Sequence, residues 1–153
     1  MQKKINIKNS KARFEYELLD QYTAGIALSG TEIKSLRIGK ASIAESFCEF
    51  NDNRELFAVN INIEEYIFGN NYNHKPKAIR KLLLNKKELE KLHKEIKTSG
   101  FTIIPLNLFI NERGFAKLKI ALAKGKKLYD KRETIKERDS KKMIDRIKKN
   151  FKK

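Results

Sequence analysis

The sequence predicts a mainly β fold, a small antiparallel β-barrel with two or three flanking helices and a basic C-terminal tail. Three observations support this. Apolar and polar residues alternate over several short runs that turn residues separate, which is typical of half-buried strands. Two segments instead place apolar residues at helical spacing. Residues 124–153 show no alternation and hold 14 Lys and Arg against 5 Asp and Glu, a net charge of +9.

The chain divides into three predicted parts. Residues 1–11 are polar and basic and are expected to form a loose N-terminal arm, followed by a barrel domain over 12–124 and a tail over 125–153. The barrel begins with alternating aromatic and acidic residues over 14–18, which predict a half-buried strand. The apolar run over 24–28 continues that strand after a bend at a glycine.

A short helix and a hairpin are predicted next. Residues 32–37 place apolar side chains on one helical face, and a glycine follows as a stop signal. The runs over 45–50 and 56–63 alternate and flank the turn residues 51–53, which predicts a hairpin. Residues 69–80 hold three Asn, two Lys and one Pro and are expected to form a long surface loop.

A second helix and a second hairpin complete the barrel domain. Asn85 is the predicted N-cap of the helix, since Glu88 follows at capping-box spacing, and Gly100 is its stop signal. The final hairpin is predicted over 101–110 and 115–122. Pro105 in its first strand favours an edge or a bulge, because proline cannot donate a ladder hydrogen bond.

Charge is the strongest indication of function. The 153 residues hold 35 Lys and Arg against 19 Asp and Glu, a net charge of +16. Such an excess favours a polyanionic partner, and nucleic acid is the commonest one. Lysines that point outward from the last strand and basic residues of the short helix are candidates for one basic face, with scattered surface charge as the alternative. The candidates are Lys34, Arg37, Lys117 and Lys119.

Other classes of protein lack support in the sequence. The single Cys48 cannot form an intrachain disulfide and is expected to be a small core residue. His74 and His93 are the only histidines; His74 could contact RNA, whereas His93 is expected to be exposed and idle. No residue set suits acid–base or nucleophilic catalysis, so we expect no enzyme, no cofactor and no metal. No apolar run is long enough to span a membrane.

The tail has the features of a conditional helix. Asp130 and Glu133 have capping-box spacing, and four apolar residues recur at helical spacing among many basic ones. A solvated charged face and a helix lying on a membrane are alternatives, but the combination favours an arm that folds on a polyanion. The apolar stripe consists of Met143, Ile144, Ile147 and Phe151. Three tyrosines, Tyr22, Tyr72 and Tyr129, are candidates for stacking on bases.

Four segments carry a resemblance to a known family. They are 9–16 (NSKARFEY), 24–37 (AGIALSGTEIKSLR), 80–85 (RKLLLN) and 123–132 (AKGKKLYDKR). Together and in this order they resemble the SsrA-binding protein (small protein B) family, over about residues 9–150. The resemblance implies a barrel of the oligonucleotide-binding kind.

The resemblance also implies a function. Members of this family are bacterial cytoplasmic adaptors that bind the tRNA-like domain of transfer-messenger RNA (tmRNA). They deliver it to stalled 70S ribosomes so that the nascent chain is tagged for degradation. The tail is implied to be disordered in the free monomer and to become helical in the 16S rRNA decoding centre and the empty mRNA channel. A general ribosomal or RNA-chaperone protein with a basic extension is the alternative.

The family's RNA-contacting positions can be carried over to this chain. On the body they fall on Asn9, Leu83, Asn85 and Lys117, although Leu83 could instead be core and Asn85 could only cap its helix. The family's tail motif falls on Gly125, Asp130, Lys131 and Arg132, and its stacking position falls on Tyr129. The other tail residues expected to face the ribosome are the basic Lys126, Lys127 and Arg146.

The chain departs from the family pattern at two positions. Thr23 stands where relatives often carry a glutamate implicated in RNA binding, so this chain has no carboxylate at that position. Ala78 stands where relatives often carry an arginine, and the neighbouring Lys77 is a candidate to supply that charge.

Overall fold

The structure is a computed structural model that describes residues 5–98 and 100–126, the side chain of residue 70 excepted. Among these residues, no helix is long and apolar enough to cross a membrane. A 3-10 turn (Asn70–Tyr72) lies in the loop that ends before Arg80. The elements are β1 (Asn6–Lys8), α1 (Ala12–Glu15), β2 (Tyr16–Ile26), α2 (Gly30–Arg37), β3 (Ala41–Ser42), β4 (Phe47–Phe50), β5 (Leu56–Val59), β6 (Asn62–Ile63), β7 (Arg80–Leu83), α3 (Lys86–Glu95), β8 (Phe101–Ile110) and β9 (Ala116–Gly125).

The antiparallel strands close on themselves. Pairings run from β4 to β5, β7, β2, β9 and β8, and β8 pairs again with β4, so the hydrogen bonds form a ring. Strand β1 adds to the outside of this ring on β8, and β3 pairs with β6 in a separate two-stranded sheet. The predicted mainly β barrel with flanking helices is therefore confirmed.

The barrel core combines inward residues of the ring with one residue from each longer helix. Leu118, Ile120 and Leu122 of β9 are buried, as their alternation predicted. Leu36 of α2 and Leu92 of α3 are fully buried in the same cluster. Because β7 runs antiparallel to β2, α2 follows β2 and α3 follows β7 at opposite ends of the barrel.

A second, smaller core lies outside the barrel and was not predicted. Ala121 and Ala123 of β9 are completely buried on the outer face, against Ala12 of α1 and two residues of β8. The predicted strand over 14–18 is wrong in its first part, because α1 occupies residues 12–15 to cover this face. The two β8 residues are Ile104 and Leu106.

The N-terminal segment is less loose than the sequence predicted. Asn6–Lys8 pairs with β8, and the backbone N–H of Asn9 donates to the carbonyl oxygen of Leu106 over 2.8 Å. Ile5 and Ile7 of this segment alternate with polar residues and pack against the barrel core, and β1 extends the sheet at the edge of β8. The expected arm at 1–11 is therefore ordered over part of its length.

The predictions for caps and turns agree with the structure more closely than the predictions for strand boundaries do. The backbone N–H of Glu88 donates to Oδ1 of Asn85 over 2.9 Å, which confirms the predicted N-cap. Of the edge or bulge predicted at Pro105, the structure shows the bulge, because the register between β8 and β9 shifts after Pro105. The predicted hairpin forms from β4 and β5, but β5 ends at Val59 because Asn60 adopts a left-handed backbone with φ +67°.

A buried ion pair corrects the prediction for the loop over 69–80. Arg80 is only 3% exposed and begins β7 instead of ending a surface loop. Its Nε donates to Glu32 of α2, and its guanidinium also donates to the carbonyl oxygens of Ile61 (2.7 Å) and Pro76 (3.0 Å). Arg80 therefore joins α2, β7 and the preceding loop.

The carboxylate of Glu32 has its own set of partners. The backbone N–H of Ser29 donates to Oε1 of Glu32 over 2.8 Å, at the start of α2. Burial opposes ionisation of Glu32, but this N–H and the guanidinium of Arg80 outweigh it and hold the pKa of Glu32 below its ordinary value. The carboxylate is thus kept charged inside the fold.

Candidate nucleic-acid interface

The outward residues of five adjacent strands form one surface, which we call the outer strip. The strands lie in the order β7, β2, β9, β8 and β1, and inward residues such as Leu82, Ile26 and Leu118 are buried. Because side chains alternate along a strand, the residues between them face outward. Two rows cross the strip in register: Leu83, Gly25, Lys117, Phe109 and Asn6, and then Thr23, Lys119, Asn107 and Lys8.

The first row has a gap near its centre. Gly25 lies between Leu83 and Lys117 in register and has no side chain. A Cβ atom at Gly25 would lie 3.4 Å from the Cβ atom of Leu83, so Leu83 borders the space that the glycine leaves open. Leu83 is 56% exposed, so the alternative that it belongs to the core is wrong. The row presents an exposed apolar group and an ammonium group beside a shallow gap.

The second row is polar and basic. Lys119 of β9 lies between Thr23 and Asn107 in register, and Nδ2 of Asn107 donates to Oδ1 of Asn6 over 2.9 Å. Thr23 is exposed and directly opposite Lys119, so no carboxylate neutralises this lysine from β2. Among the described residues, Lys117 and Lys119 have no ion-pair partner. The two rows therefore carry positive charge without an acidic side chain.

Two of the predicted body residues have structural tasks. Nδ2 of Asn9 donates to the carbonyl oxygen of Pro105 over 3.1 Å and holds the N-terminal segment on β8. Asn85 caps α3, as the alternative to RNA contact stated, but its side chain is exposed and lies two residues beyond Leu83. The structure therefore shows Asn85 at the edge of the outer strip, where a capping role does not exclude a second one.

The predicted basic residues of α2 lie elsewhere. Lys34 and Arg37 are exposed, and Nζ of Lys34 lies 5.7 Å from the centroid of the Tyr66 ring in the loop before β7. In the same loop, Nδ1 of His74 lies 2.9 Å from Oγ1 of Thr31, and its Nε2 lies 2.8 Å from the carbonyl oxygen of Ile63. Both ring nitrogens of His74 thus fix the loop to α2 and β6.

The remaining single residues divide into core and surface. Tyr22 packs against the barrel core with its hydroxyl group buried, so its prediction as a stacking residue is wrong. Tyr72 is 91% exposed and stays a candidate. Cys48 is buried as expected, and burial raises the pKa of its thiol. His93 is not idle, because its ring makes an edge contact with Phe50 at a centroid distance of 5.1 Å.

The start of the tail is attached to the barrel. Gly125 pairs with Tyr16 at the end of β9, and the backbone N–H of Lys126 donates to the carbonyl oxygen of Glu15 over 3.0 Å. Nζ of Lys126 also donates to the carbonyl oxygen of Arg13 over 3.0 Å. The other predicted tail residues lie outside the described residues: Lys127, Tyr129, Asp130, Lys131, Arg132 and Arg146.

Sequence reasoning found part of the outer strip and missed the rest. It singled out Lys117 and Lys119 from their period-two pattern and did not place Phe109, Asn107 or Lys8 beside them. The same period in β8 carries the signal for Asn107 and Phe109. Their position beside the lysines depends on strand register, which a single sequence does not contain.

The fold and this surface define a class of protein. A small antiparallel barrel with an open, basic outer strip that also contains aromatic and amide side chains is typical of nucleic-acid-binding barrels. The comparisons with known proteins agree with that class and narrow it. A family model described as "SmpB protein" matches residues 6–150.

The relatives are similar over nearly their whole length. A protein of Christiangramia forsetii named "SsrA-binding protein" is 65% identical over 99% of this chain and 96% of its own. A protein of Flavobacterium psychrophilum with the same name is 65% identical over 99% of this chain and 100% of its own. The chain therefore belongs to the SmpB protein family.

A solved structure supports the fold. It is described as "tmRNA-SmpB: a journey to the center of the bacterial ribosome", and its chain is 46% identical to this one. The match has a TM-score of 0.68 and covers 81% of this chain and 86% of the other.

Proposed function

We propose that this protein is the RNA-binding adaptor of trans-translation. It binds the tRNA-like domain of tmRNA and delivers it to stalled ribosomes for tagging of the nascent chain and ribosome rescue. Membership of the SmpB protein family supports this, as do the name of its relatives and the description of the similar solved structure. The observation that carries it is the outer strip, where Lys117 and Lys119 are free of acidic partners within the described residues.

The outer strip suits a folded RNA more than a uniform polyanion. Lys117, Lys119 and Lys8 supply ammonium groups for phosphates, which fix position without reading sequence. Leu83 and Phe109 offer apolar surface on which an unstacked base or a ribose could pack. Single-stranded loops of a folded RNA offer unstacked bases beside their phosphates, so the strip combines the two kinds of contact that such a loop requires.

The role proposed is binding without catalysis. We propose that the protein is no enzyme, acts in the cytoplasm and is a monomer when free. The tail after Lys126 is proposed to enter the decoding centre and the empty mRNA channel and to fold there as a helix. The net charge of +9 over residues 124–153 favours such an rRNA-lined channel.

Binding of purified protein to two RNAs tests the proposal. We expect the tRNA-like domain of tmRNA to bind at least about tenfold more tightly than a random duplex of equal length, with affinity that falls steeply as salt rises. Equal affinity for both RNAs would reject the adaptor and favour the general RNA-chaperone alternative. RNA cleavage that depended on one carboxylate or histidine would overturn the proposal of no enzymatic activity.

The tail is tested separately. Truncation after Lys126 keeps the hydrogen bonds of that residue to Arg13 and Glu15, so the barrel retains its outer core. We expect binding to the tRNA-like domain within about twofold of the full chain, as the outer strip is untouched, and loss of peptide tagging on stalled ribosomes. Normal tagging by the truncated chain would contradict a role for the tail in the ribosome.

A further inference from the structure

A second basic surface lies at the α3 end of the barrel. Helix α3 and the turn between β4 and β5 border an open cleft of about 840 Å³. Most of the side chains that line it are cationic, and Glu90 is the acidic residue among them. The cationic residues other than Lys91 are Arg54, Lys86, Lys87, Lys94 and Lys97.

Ion pairing divides these cations into two groups. Lys91 is compensated, because its Nζ lies 3.2 Å from Asp20 Oδ2 and 4.0 Å from Glu95 Oε1. Within the described part of the chain, none of the other five has a carboxylate oxygen within 4.0 Å. Glu90 has i,i+4 spacing to Lys86 and to Lys94, yet no ion pair joins it to either within the described residues, so the cleft keeps a net positive charge.

The side of the cleft opposite α3 is preformed. Oδ1 of Asn51 accepts hydrogen bonds from the backbone N–H groups of Asn53 (3.0 Å) and Glu55 (2.8 Å). Between them, Arg54 adopts a left-handed backbone with φ +62°, which non-glycine residues rarely do. The turn therefore fixes the backbone of Arg54 at the edge of the cleft.

The pKa of His93, which lines the cleft, depends on the positive charge around it. Burial lowers the pKa of His93, and the positive charges of Lys97 and Arg54 lower it further. Its ring is also held against Phe50 by the edge contact. Because an anion bound in the cleft would oppose those charges, His93 is a built-in reporter of occupancy.

The cleft continues from the outer strip along the chain. Leu83 and Asn85 lie at the edge of the strip, and Lys86 and Lys87 follow at once as the first residues of α3. From Lys87 to Lys94 the helix rises about 10 Å. An RNA that contacts the strip at Leu83 thus meets the lysines of α3 next.

We propose that this cleft binds the phosphate backbone of the same RNA that the outer strip holds. The inference rests on the proposed function, since it requires that RNA as the partner. The cations that line the cleft are spread along α3 from Lys86 to Lys94 and include Arg54 on the facing turn, whereas a site for one small anion needs donors that converge on one point. Lysines at intervals along a helix can instead contact successive phosphates of an RNA strand. The affinity of such contacts comes from the release of counterions and does not depend on base sequence.

The test compares two double variants that remove equal charge. The cleft variant, Lys87→Gln with Lys94→Gln, removes two ammonium groups that have no ion-pair partner among the described residues. Lys40→Gln with Lys75→Gln is the control, because both lysines are exposed and lie outside the cleft and the outer strip. All four side chains are exposed, so we expect the midpoint of urea unfolding of either variant to stay close to that of the wild-type protein.

Binding to the tRNA-like domain of tmRNA is measured over a range of salt concentrations. We expect the cleft variant to raise Kd about fivefold to tenfold and to reduce the slope of log Kd against log salt by about 1.5, as two phosphate contacts are lost. The control should change Kd by less than about twofold at the same salt. Equal effects of the two variants would overturn the proposal and leave only a general charge effect.

A second readout distinguishes contact from long-range attraction. The pKa of His93, followed by NMR in the full-length protein, should rise when the RNA binds. An unchanged pKa of His93 in the bound protein would overturn the proposal, even if the cleft variant bound less tightly. If the wild-type protein bound the tRNA-like domain no more tightly than random duplex, both the proposed function and the cleft proposal would be rejected. If the wild-type protein showed that preference and the cleft variant had an unchanged Kd, only the cleft proposal would be rejected.

Discussion

Strand β9 has two different outer surfaces along its length. Near its start, Lys117 and Lys119 are half-buried, and their ammonium groups have no acidic partner among the described residues. Ala121 and Ala123, on the same face and at the same period, are completely buried. The difference comes from what lies above them, because α1 places Ala12 over the alanines.

This contrast shows how one strand serves scaffold and binding together. The covered half joins β9 to α1 and stabilises the N-terminal segment through apolar burial. The open half has no such cover. In register, Lys117 lies between Gly25 and Phe109, and Lys119 lies between Thr23 and Asn107. The stability of the barrel should therefore depend on the alanines, and its affinity for RNA on the lysines.

The largest effect is expected on stability, when a charged side chain replaces a buried alanine in the covered half of β9. Ala121→Lys would bury an unpaired ammonium group where no space exists, so we expect the free energy of unfolding to fall by about 4 kcal/mol or more. Urea unfolding followed by circular dichroism measures this. Lys119→Ala on the same strand is the matched control and should change it by less than about 1 kcal/mol. A mild effect of Ala121→Lys would show that α1 is easily displaced.

The converse change in the open half should affect RNA and spare stability. Lys117→Gln removes one phosphate contact, so we expect Kd for the tRNA-like domain to rise about fivefold to tenfold and the salt slope to fall by about 1. Fluorescence anisotropy at several salt concentrations measures both quantities. An unchanged salt slope together with weaker binding would mean that Lys117 does not contact a phosphate.

The apolar member of the first row should behave differently from the lysine. Leu83→Ala removes exposed apolar surface, so we expect a loss of about 1 kcal/mol in binding free energy without a change in the salt slope. Because Leu83 is 56% exposed, the free energy of unfolding should stay within about 0.5 kcal/mol of the wild-type value. A large loss of stability would instead assign Leu83 to packing.

The smallest effect separates two roles of Asn85. Asn85→Ala removes the N-cap of α3, so we expect a loss of about 1 kcal/mol in the free energy of unfolding. Asn85→Asp keeps an oxygen acceptor for the backbone N–H of Glu88 and should restore stability. If Asn85→Asp also restored RNA affinity to that of the wild type, the side-chain amide would have no role beyond the cap.

The sequence predicted features that depend on local chemistry. The cap at Asn85, the bulge after Pro105 and the inward alternation of β9 follow from residue type and period, and the structure confirms them. The positions of Ala121 and Arg80 could not be predicted in this way. Ala121 is buried by a distant segment, and Arg80 is buried because Glu32, far away in sequence, supplies its counter-charge.

The candidate site shows the same limit on prediction. The period of the last strand indicated that Lys117 and Lys119 face outward, and the resemblance to the family added Leu83. Their arrangement into two rows with Gly25 between them depends on the register of β2 with both β7 and β9. Register is a property of paired strands, so it appeared only in the structure.

Photo-crosslinking from one position of the outer strip tests the central claim most directly. A photoreactive phenylalanine analogue would replace Phe109, which lies beside Lys117 in the first row, and in a second variant would replace Phe68, which is 75% exposed in the loop before β7. The account predicts crosslinks to the tRNA-like domain of tmRNA from position 109, and few or none from position 68. Crosslinks from position 68 with none from position 109 would contradict it.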